Sequence, residues 1–513
     1  MEMNEIPEQA PVELPGEPGG ITRRGVLELV FACFALVCAY FFTCIFPVAG
    51  RPLGFFVLAA VLLAGTFAAA LLLGGAKPGL FTYGALVFAL AAAFCRLLNG
   101  GDAFDLAPCF AAFGVAYLVF AVSLFDNHSK RLGGTFLLDI AKGFAYMFLS
   151  FARFFTSIFR PEGSRRSSKK LLPVIGGVVA AAILIVAVCS LLSYDAHFAD
   201  LLPKIDLEDV FEIILKISFA VPIAALVFSL LLSSEKRMLP GLSTPETAER
   251  AGAKLHVLPL LLTALPIIGV LAVYALFFVS QWAYYVSAFT HVLPEGYSAA
   301  EYAREGFFNL LVVAVINAVL IVLVSVFTKN TGKAGETVRR VLTIALSLAT
   351  LVLIATAISK MLLYIDRFDL TRQRLIATIF LAFLAIAFVA VIVSQLVRRL
   401  KALPVIIAAG LVILFLFFVL PVNRSIAKYN VDAYLSGKHE NIDEYYLLND
   451  LGCAAAPELV RLYNEAEDPA VREKTESVLN AFRAEATDGA LRWYELSIPL
   501  LQTRRLLVGK PLG

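Results

Sequence analysis

Eleven stretches of uncharged, mostly aliphatic residues fill nearly everything between Leu29 and Val422. They run roughly over 29–48, 52–75, 78–95, 106–125, 171–194, 213–233, 257–281, 306–328, 341–360, 375–397 and 402–422. A hydrocarbon layer of about 30 Å is crossed by about 20 helical residues, and lipid offers no hydrogen bonds, so each stretch must satisfy its backbone as a helix. The fold class that follows is all-α, a polytopic transmembrane helical bundle. Composition agrees: only 16% of the chain is charged, against roughly a quarter in soluble domains. Isolated polar residues do not veto a span, because one costs about 2.5–3.5 kcal/mol while each Leu, Ile, Phe or Val returns about 0.3–0.6.

Lys and Arg set the direction of threading, because cytoplasmic loops retain them. With the N-terminus inside, 23 basic residues fall in cytoplasmic loops and seven in the opposite ones. An odd number of spans then places the C-terminal tail outside, in a plasma (inner) membrane protein. Residues 1–22 hold five glutamates, four prolines and no basic residue, unlike a signal peptide. The expectation is a disordered tail over 1–24 and a retained first span. The net charge of +3 is spread over the loops, which argues against nucleic acid as a partner. The seven cysteines show neither a disulfide framework nor metal spacing.

Four spans crowd into residues 25–126, a polar-flanked stretch occupies 127–170, seven spans follow over 171–422, and a tail of mixed charge closes the chain at 423–513. Within 132–160, Asp139, Lys142, Tyr146, Arg153, Ser157 and Arg160 recur at helical spacing, and phenylalanines cover the other face. This reads as an amphipathic helix in the cytoplasmic interface. The basic run Arg165, Arg166, Lys169 and Lys170 suits anionic lipid over residues 136–170, or equally a positive-inside stop before the next span. In the tail, Leu447, Leu448, Leu451, Leu459, Leu462 and Tyr463 have amphipathic spacing, with Pro457 near a helix start. A small α-helical domain is expected there.

The segment before the eighth span reads Tyr297, Ser298, Ala299, Ala300, Glu301, Tyr302, Ala303, Arg304, Glu305, Gly306, Phe307, Phe308. Ser359, Lys360, Met361, Leu363 and Tyr364 lead to Leu370, Thr371, Arg372 and Arg374, and the tail carries Asn430, Tyr434, Asp443, Tyr445, Tyr446, Leu447 and Pro457. Together these resemble a bacterial family of multi-pass membrane proteins labelled only as a domain of unknown function, number four-one-seven-three. The resemblance implies the same topology and supplies no activity. One departure is that the family has glycine before the Leu-Thr pair, where Asp369 stands.

Glu301, Arg304 and Glu305 fall at i, i+3 and i+4, so on a continuous helix both carboxylates reach the guanidinium. The motif, with Tyr302 and Gly306, is either an ion pair anchoring a helix start or a contact for an extracytoplasmic protein partner built on an Arg fork. Among intramembrane polar residues, Asn309 and Asn317 lie on neighbouring faces of the eighth span, and Asn317 reads as interhelical glue before it reads as a substrate ligand. Glu212 and Lys216 make an i,i+4 pair at the outer end of the sixth span, and Lys360 stands at the outer end of the ninth. Both lysines can snorkel to water. Pro259 and Pro266 in the seventh span are expected to kink it. Ala60, Ala64 and Ala68, and Gly177 and Ala181, are expected at close helix contacts.

The five histidines are scattered, and no Gly-rich phosphate loop, His-Glu-x-x-His motif or nucleophile elbow appears. The reading is therefore non-enzymatic, with no cofactor implied: an envelope or signalling interaction protein, with a secondary transporter as the alternative.

Overall fold

A computed structural model describes residues 22–45, 51–100, 106–125, 134–159, 207–240, 245–280, 299–329, 332–397, 399–439, 442–487 and 491–509. The helices are α1 (Arg23–Ile45), α2 (Pro52–Leu73), α3 (Leu80–Asn99), α4 (Leu106–Ser123), α5 (Gly134–Leu149), α6 (Phe151–Phe159), α7 (Leu207–Glu235), α8 (Pro245–Leu255), α9 (Leu260–Ser280) and α10 (Ala299–Val322). They continue with α11 (Lys333–Phe368), α12 (Arg372–Leu396), α13 (Ala402–Val419), α14 (Val422–Leu435), α15 (Glu444–Asn449), α16 (Ala456–Glu465), α17 (Pro469–Thr487) and α18 (Ile498–Leu507). Ten of the described helical stretches are long and apolar enough to cross a membrane, and Pro108–Ser123 is a shorter apolar helix. The protein is an all-α, multi-pass, membrane-embedded bundle. The span expected at 171–194, the basic run at 165–170 and the Gly177–Ala181 pair lie outside the described residues.

The chain divides into two compact units. One holds residues 1–44, 64–76 and 145–238; the other holds 45–63, 77–144 and 239–513.

In the first unit, helical winding breaks at Ser150, between α5 and α6. The Ser150 N–H would normally meet the carbonyl four residues back. Instead it donates to Ser229 Oγ of α7 at 2.9 Å, and that hydroxyl donates to the Tyr146 carbonyl at 2.8 Å. A side chain inserted into the ladder is a recognised cause of a kink. Ser233 Oγ donates to Ser150 Oγ at 2.8 Å. Nearby, Glu28 is buried and receives two hydrogen bonds from Arg153, at 3.1 and 3.0 Å, and one each from Arg24 and Ser157. Arg24 also reaches Glu235 at 2.7 Å.

These contacts correct the expectation for 132–160. Asp139, Lys142, Tyr146 and Ser157 are each 4% exposed or less, whereas Phe144 and Phe148 are 50% and 66% exposed. The polar stripe faces protein rather than water, and at its second half Glu28 and Ser229 supply partners to Arg153, Ser157 and the Tyr146 carbonyl.

The second unit has four apolar clusters among the described residues, two of them large. In one, Ile267 of α9, Phe307 and Ala314 of α10, Leu346 and Ala357 of α11 and Leu381 of α12 pack together. The other belongs to the tail, where Val422, Ile426 and Val431 of α14 meet Leu447, Leu459, Leu462, Leu479 and Leu500. Alanine and cysteine let spans approach closely, as where Ala91, Ala92 and Cys95 of α3 pack with Cys109 of α4 and Phe418 of α13. Two further expectations fail. Pro259 precedes α9 rather than kinking it, so only Pro266 lies inside that helix. Ala64 and Ala68 are exposed, and α2 buries Ala59, Leu63 and Ala70 instead. Helix α11 has 36 residues, about 54 Å at 1.5 Å per residue. It outruns a 30 Å core and carries its last turns to a corner with α12.

Candidate functional site

The corner between α11 and α12 is where the tail domain meets the spans. Thr371 caps α12 by accepting from the Arg374 N–H at 3.4 Å. The next residue, Arg372, is buried. Its Nε donates to Asn423 Oδ1 at 3.2 Å and its Nη2 to the Asp450 carbonyl at 2.6 Å, while its backbone N–H donates to Tyr446 Oη at 2.7 Å. Asn423, at the start of α14, donates its N–H to Asn99 Oδ1 at 3.1 Å and its Nδ2 to the Asn99 carbonyl at 3.2 Å. Asn99 Nδ2 in turn reaches the Cys95 and Leu420 carbonyls. Asn430 uses both ends of its amide on Leu370, accepting from its N–H at 2.8 Å and donating to its carbonyl at 3.0 Å. A buried charge persists only where hydrogen bonds replace its water, and these amides and carbonyls supply them.

Asp369 takes φ 67° and ψ 163°, a region that is essentially glycine's and costs another residue about 1–3 kcal/mol. Its carboxylate is held by His439 Nδ1, and the second ring nitrogen of His439 lies 2.8 Å from the Asp366 carbonyl. Arg374 donates to the Phe368 and Asp369 carbonyls and stacks over the Tyr364 ring at 4.2 Å. Lys438 pairs with Asp366. Burial pushes the Asp369 carboxyl above its ordinary range, against the opposing pull of His439 and Arg374. Burial likewise raises the Tyr446 phenol.

The structure does not gather the sequence-predicted site residues at this corner. Glu301, Tyr302, Arg304, Glu305 and Gly306 lie within the first eight residues of α10, so the motif belongs to that helix; their side chains lie outside the described set. Phe307 below them is buried and Phe308 exposed. Asn309 is exposed, whereas Asn317 is fully buried. Asn317 Oδ1 accepts from Tyr274 Oη at 2.9 Å, and its Nδ2 donates to Thr350 Oγ1 at 2.9 Å. Glu212 and Lys216 form their i,i+4 pair at 2.5 Å. Lys360 is partly buried, eight residues before the end of α11 rather than at it.

Sequence reading missed Asn99, Asn423 and Glu28, each of which looked like a loop residue at a span boundary. Arg372, Asn430 and Tyr446 were legible only as parts of the family-like segments. Asp369 was visible as a non-glycine where glycine belongs.

Both His439 nitrogens are committed to oxygens and its side chain is 7% exposed, so no lone pair faces a substrate. The Cys453 thiol is buried and pushed up to about 12, far from a reactive thiolate. Among the described residues, no group of three or more His, Cys, Asp or Glu is placed to hold a metal ion. An open recess of about 390 Å³ lined by Leu80, Tyr83, Gly84, Val87, Phe88 and Phe415 is almost wholly apolar, as befits a lipid-facing wall.

No curated protein and no solved structure matches the chain. A family model does, and it corrects the family number read from the loop and tail motifs. The model is described as "Domain of unknown function (DUF4153)" and matches residues 29–462, from the second turn of α1 to the tail's fourth-last helical segment. With most of its length matched, spans, corner and half the tail included, the chain belongs to the DUF4153 family.

Proposed function

We propose that the protein is a non-enzymatic interaction protein of the cell envelope, in which the spans hold the helical tail in a fixed pose for an extracytoplasmic partner. The observation that carries this reading is the buried junction of Asn99, Arg372, Asn423 and Asn430. Desolvating a guanidinium and three amides to dock one small domain is costly unless the pose of that domain matters. The polar groups inside the α9–α10–α11 core are bonded to one another, which favours a packed scaffold over a solute path.

The outward tail rests on the charge distribution of the loops and on the course of α5 and α6. That stretch is long enough to cross, and a crossing would reverse every later span. Its contacts instead favour a return to the side it leaves. Within one unit, Phe136 meets Phe81 in the first turn of α3, with ring centroids 6.1 Å apart. Within the other, Ser157 meets Glu28 in the second turn of α1. Alternating threading puts the starts of α1 and α3 on one side.

A photo-crosslinker at Tyr445, 74% exposed on the tail, tests the reading in intact cells. A discrete adduct, together with labelling of a Tyr445→Cys variant by an impermeant maleimide, is expected. Solute flux in proteoliposomes with no adduct, or labelling only after lysis, would overturn it.

A further inference from the structure

We infer that Arg51, Arg492 and Trp493 form a seat for a phospholipid headgroup at the seam between the tail and the spans. The short helical turn Trp493–Glu495 lies against the first turn of α2. The Arg51 guanidinium sits over the Tyr494 ring, 5.0 Å from its centroid, and a Cβ at Gly54 would come within 3.0 Å of the Tyr494 Cβ. Arg492 Nη1 donates to Tyr494 Oη at 2.9 Å. Two guanidiniums thus bracket one phenol, one on its face and one on its hydroxyl. Glu495 accepts from the Arg492 N–H at 2.9 Å.

Contact with the start of a span fixes the depth of this turn. Gly54 is the third residue of α2, and a few residues on, Ser497 and Pro499 lie beside Gly100 at the end of α3. In alternating threading the start of α2 and the end of α3 share a side, so residues 493–499 lie at headgroup level. At that level Trp493 is 59% exposed. A large amphipathic ring is favoured in the interfacial layer, where its apolar body meets acyl chains and its N–H stays hydrated. Guanidiniums beside it match phosphate bidentately. Helix α18 repeats the chemistry along one face. Leu501, Arg504, Arg505 and Val508 fall at i, i+3, i+4 and i+7 and are all exposed, the pattern of a helix lying on anionic lipid.

The chain has two tryptophans, so a Trp282→Phe variant leaves Trp493 as the sole indole reporter. The full chain is reconstituted in phosphatidylcholine vesicles carrying bromine at shallow or deep acyl positions, with or without phosphatidylglycerol. Shallow bromines should quench the emission about twofold and deep ones little, as expected for an interfacial indole. Phosphatidylglycerol should deepen the quenching, and inorganic phosphate should not reverse it. Arg51→Gln with Arg492→Gln should abolish the response to phosphatidylglycerol while the tail stays protease-resistant. Quenching by aqueous iodide but not by bromolipid would overturn the inference, because the surface would then face water. Shielding from both would also overturn it, because a second copy or another protein would then cover the indole. Reversal by inorganic phosphate would assign the arginines to a free anion rather than to lipid.

Discussion

Two buried polar networks in the second unit solve the same problem differently. Inside the spans, Tyr274, Asn317 and Thr350 join three neighbouring helices through neutral groups, with Thr350 Oγ1 donating a hydrogen bond to the Leu346 carbonyl at 2.6 Å. At the corner, Arg372 and the pairing of Asn99 with Asn423 join segments more than 300 residues apart in sequence, and a strained aspartate and a histidine stand beside them. The first network is neutral and local. It lies among helices that Ile267, Ala314 and Ile354 already pack together. The second carries charge, strain and titratable groups, and it sets where a whole domain sits. Polar groups within the spans therefore hold helices, whereas those at the corner specify a conformation.

The largest effect that would break this contrast is at Arg372. Arg372→Met strips the donors from Asn423 Oδ1 and the Asp450 carbonyl, and hydrogen bonds to a charged group are worth about 1.5–3 kcal/mol each. The tail should then be cut by protease far faster in intact membranes while the spans remain inserted. Arg372→Lys keeps the charge but loses the fork, and should recover only part of the protection. Wild-type protection in the methionine variant would show that the apolar tail core docks the domain without the corner.

Ser229→Ala should follow, at about 1–3 kcal/mol, because it leaves the Ser150 N–H and the Tyr146 carbonyl without the hydroxyl that bridges them. Thermal unfolding in detergent measures it. Ser229→Thr, which keeps the hydroxyl, should lose less than the alanine variant. An equal loss would mean that the hydroxyl does not bridge the break.

Protonation sharpens the comparison further. The raised carboxyl of Asp369 binds its proton more tightly in the docked state than in the unfolded one. The stability it contributes is present below its ordinary value of 3.8 and is lost as pH rises through the raised value. The docked tail should therefore tighten on acidification through the raised value of Asp369. The other charged groups at this corner are Asp366, Arg374, Lys438 and Asp443. Hydrogen exchange over residues 442–450, compared below pH 3.8 and at neutral pH, reads the step. Asp369→Asn should flatten it, and Glu440→Gln should not. The intramembrane network, which has no group titrating in this range, should show no such step.

How much of this was legible follows the same division. Hydropathy alone placed the described spans because lipid forces a single solution on an apolar stretch; most ends fall within a few residues, but α11 runs eight residues beyond 341–360 at each end. The tail's apolar positions were equally readable: Leu447, Leu451, Leu459 and Leu462 all enter its core. The corner was not readable. Asn99 and Asn423 are ordinary residues at span ends, and nothing local in the sequence says that they face each other. The orientation of the 132–160 stripe failed for a related reason. Periodicity gives the face a residue occupies, but not whether water or Ser229 waits on the other side. Asp369 stood out because a positive φ is a local requirement that glycine would meet for free.

The smallest expected effect is the most discriminating. A transporter built around Asn317 requires its amide, and Asn317→Leu would abolish flux; a scaffold requires only that the helices pack. On the scaffold reading, Asn317→Leu costs about 0.6 kcal/mol, the typical worth of one interhelical hydrogen bond in a membrane. Most of that cost comes from the Tyr274 hydroxyl, which loses its acceptor, since Thr350 keeps the Leu346 carbonyl. Tyr274→Phe added to Asn317→Leu should therefore restore stability, because removing both partners of a buried bond is nearly neutral whereas removing one is not. Recovery in the double variant, with the tail still protected, would confine the intramembrane network to packing. A double variant worse than either single one would place an unsatisfied group or a bound solute at that depth, and the contrast with the corner would then be one of degree.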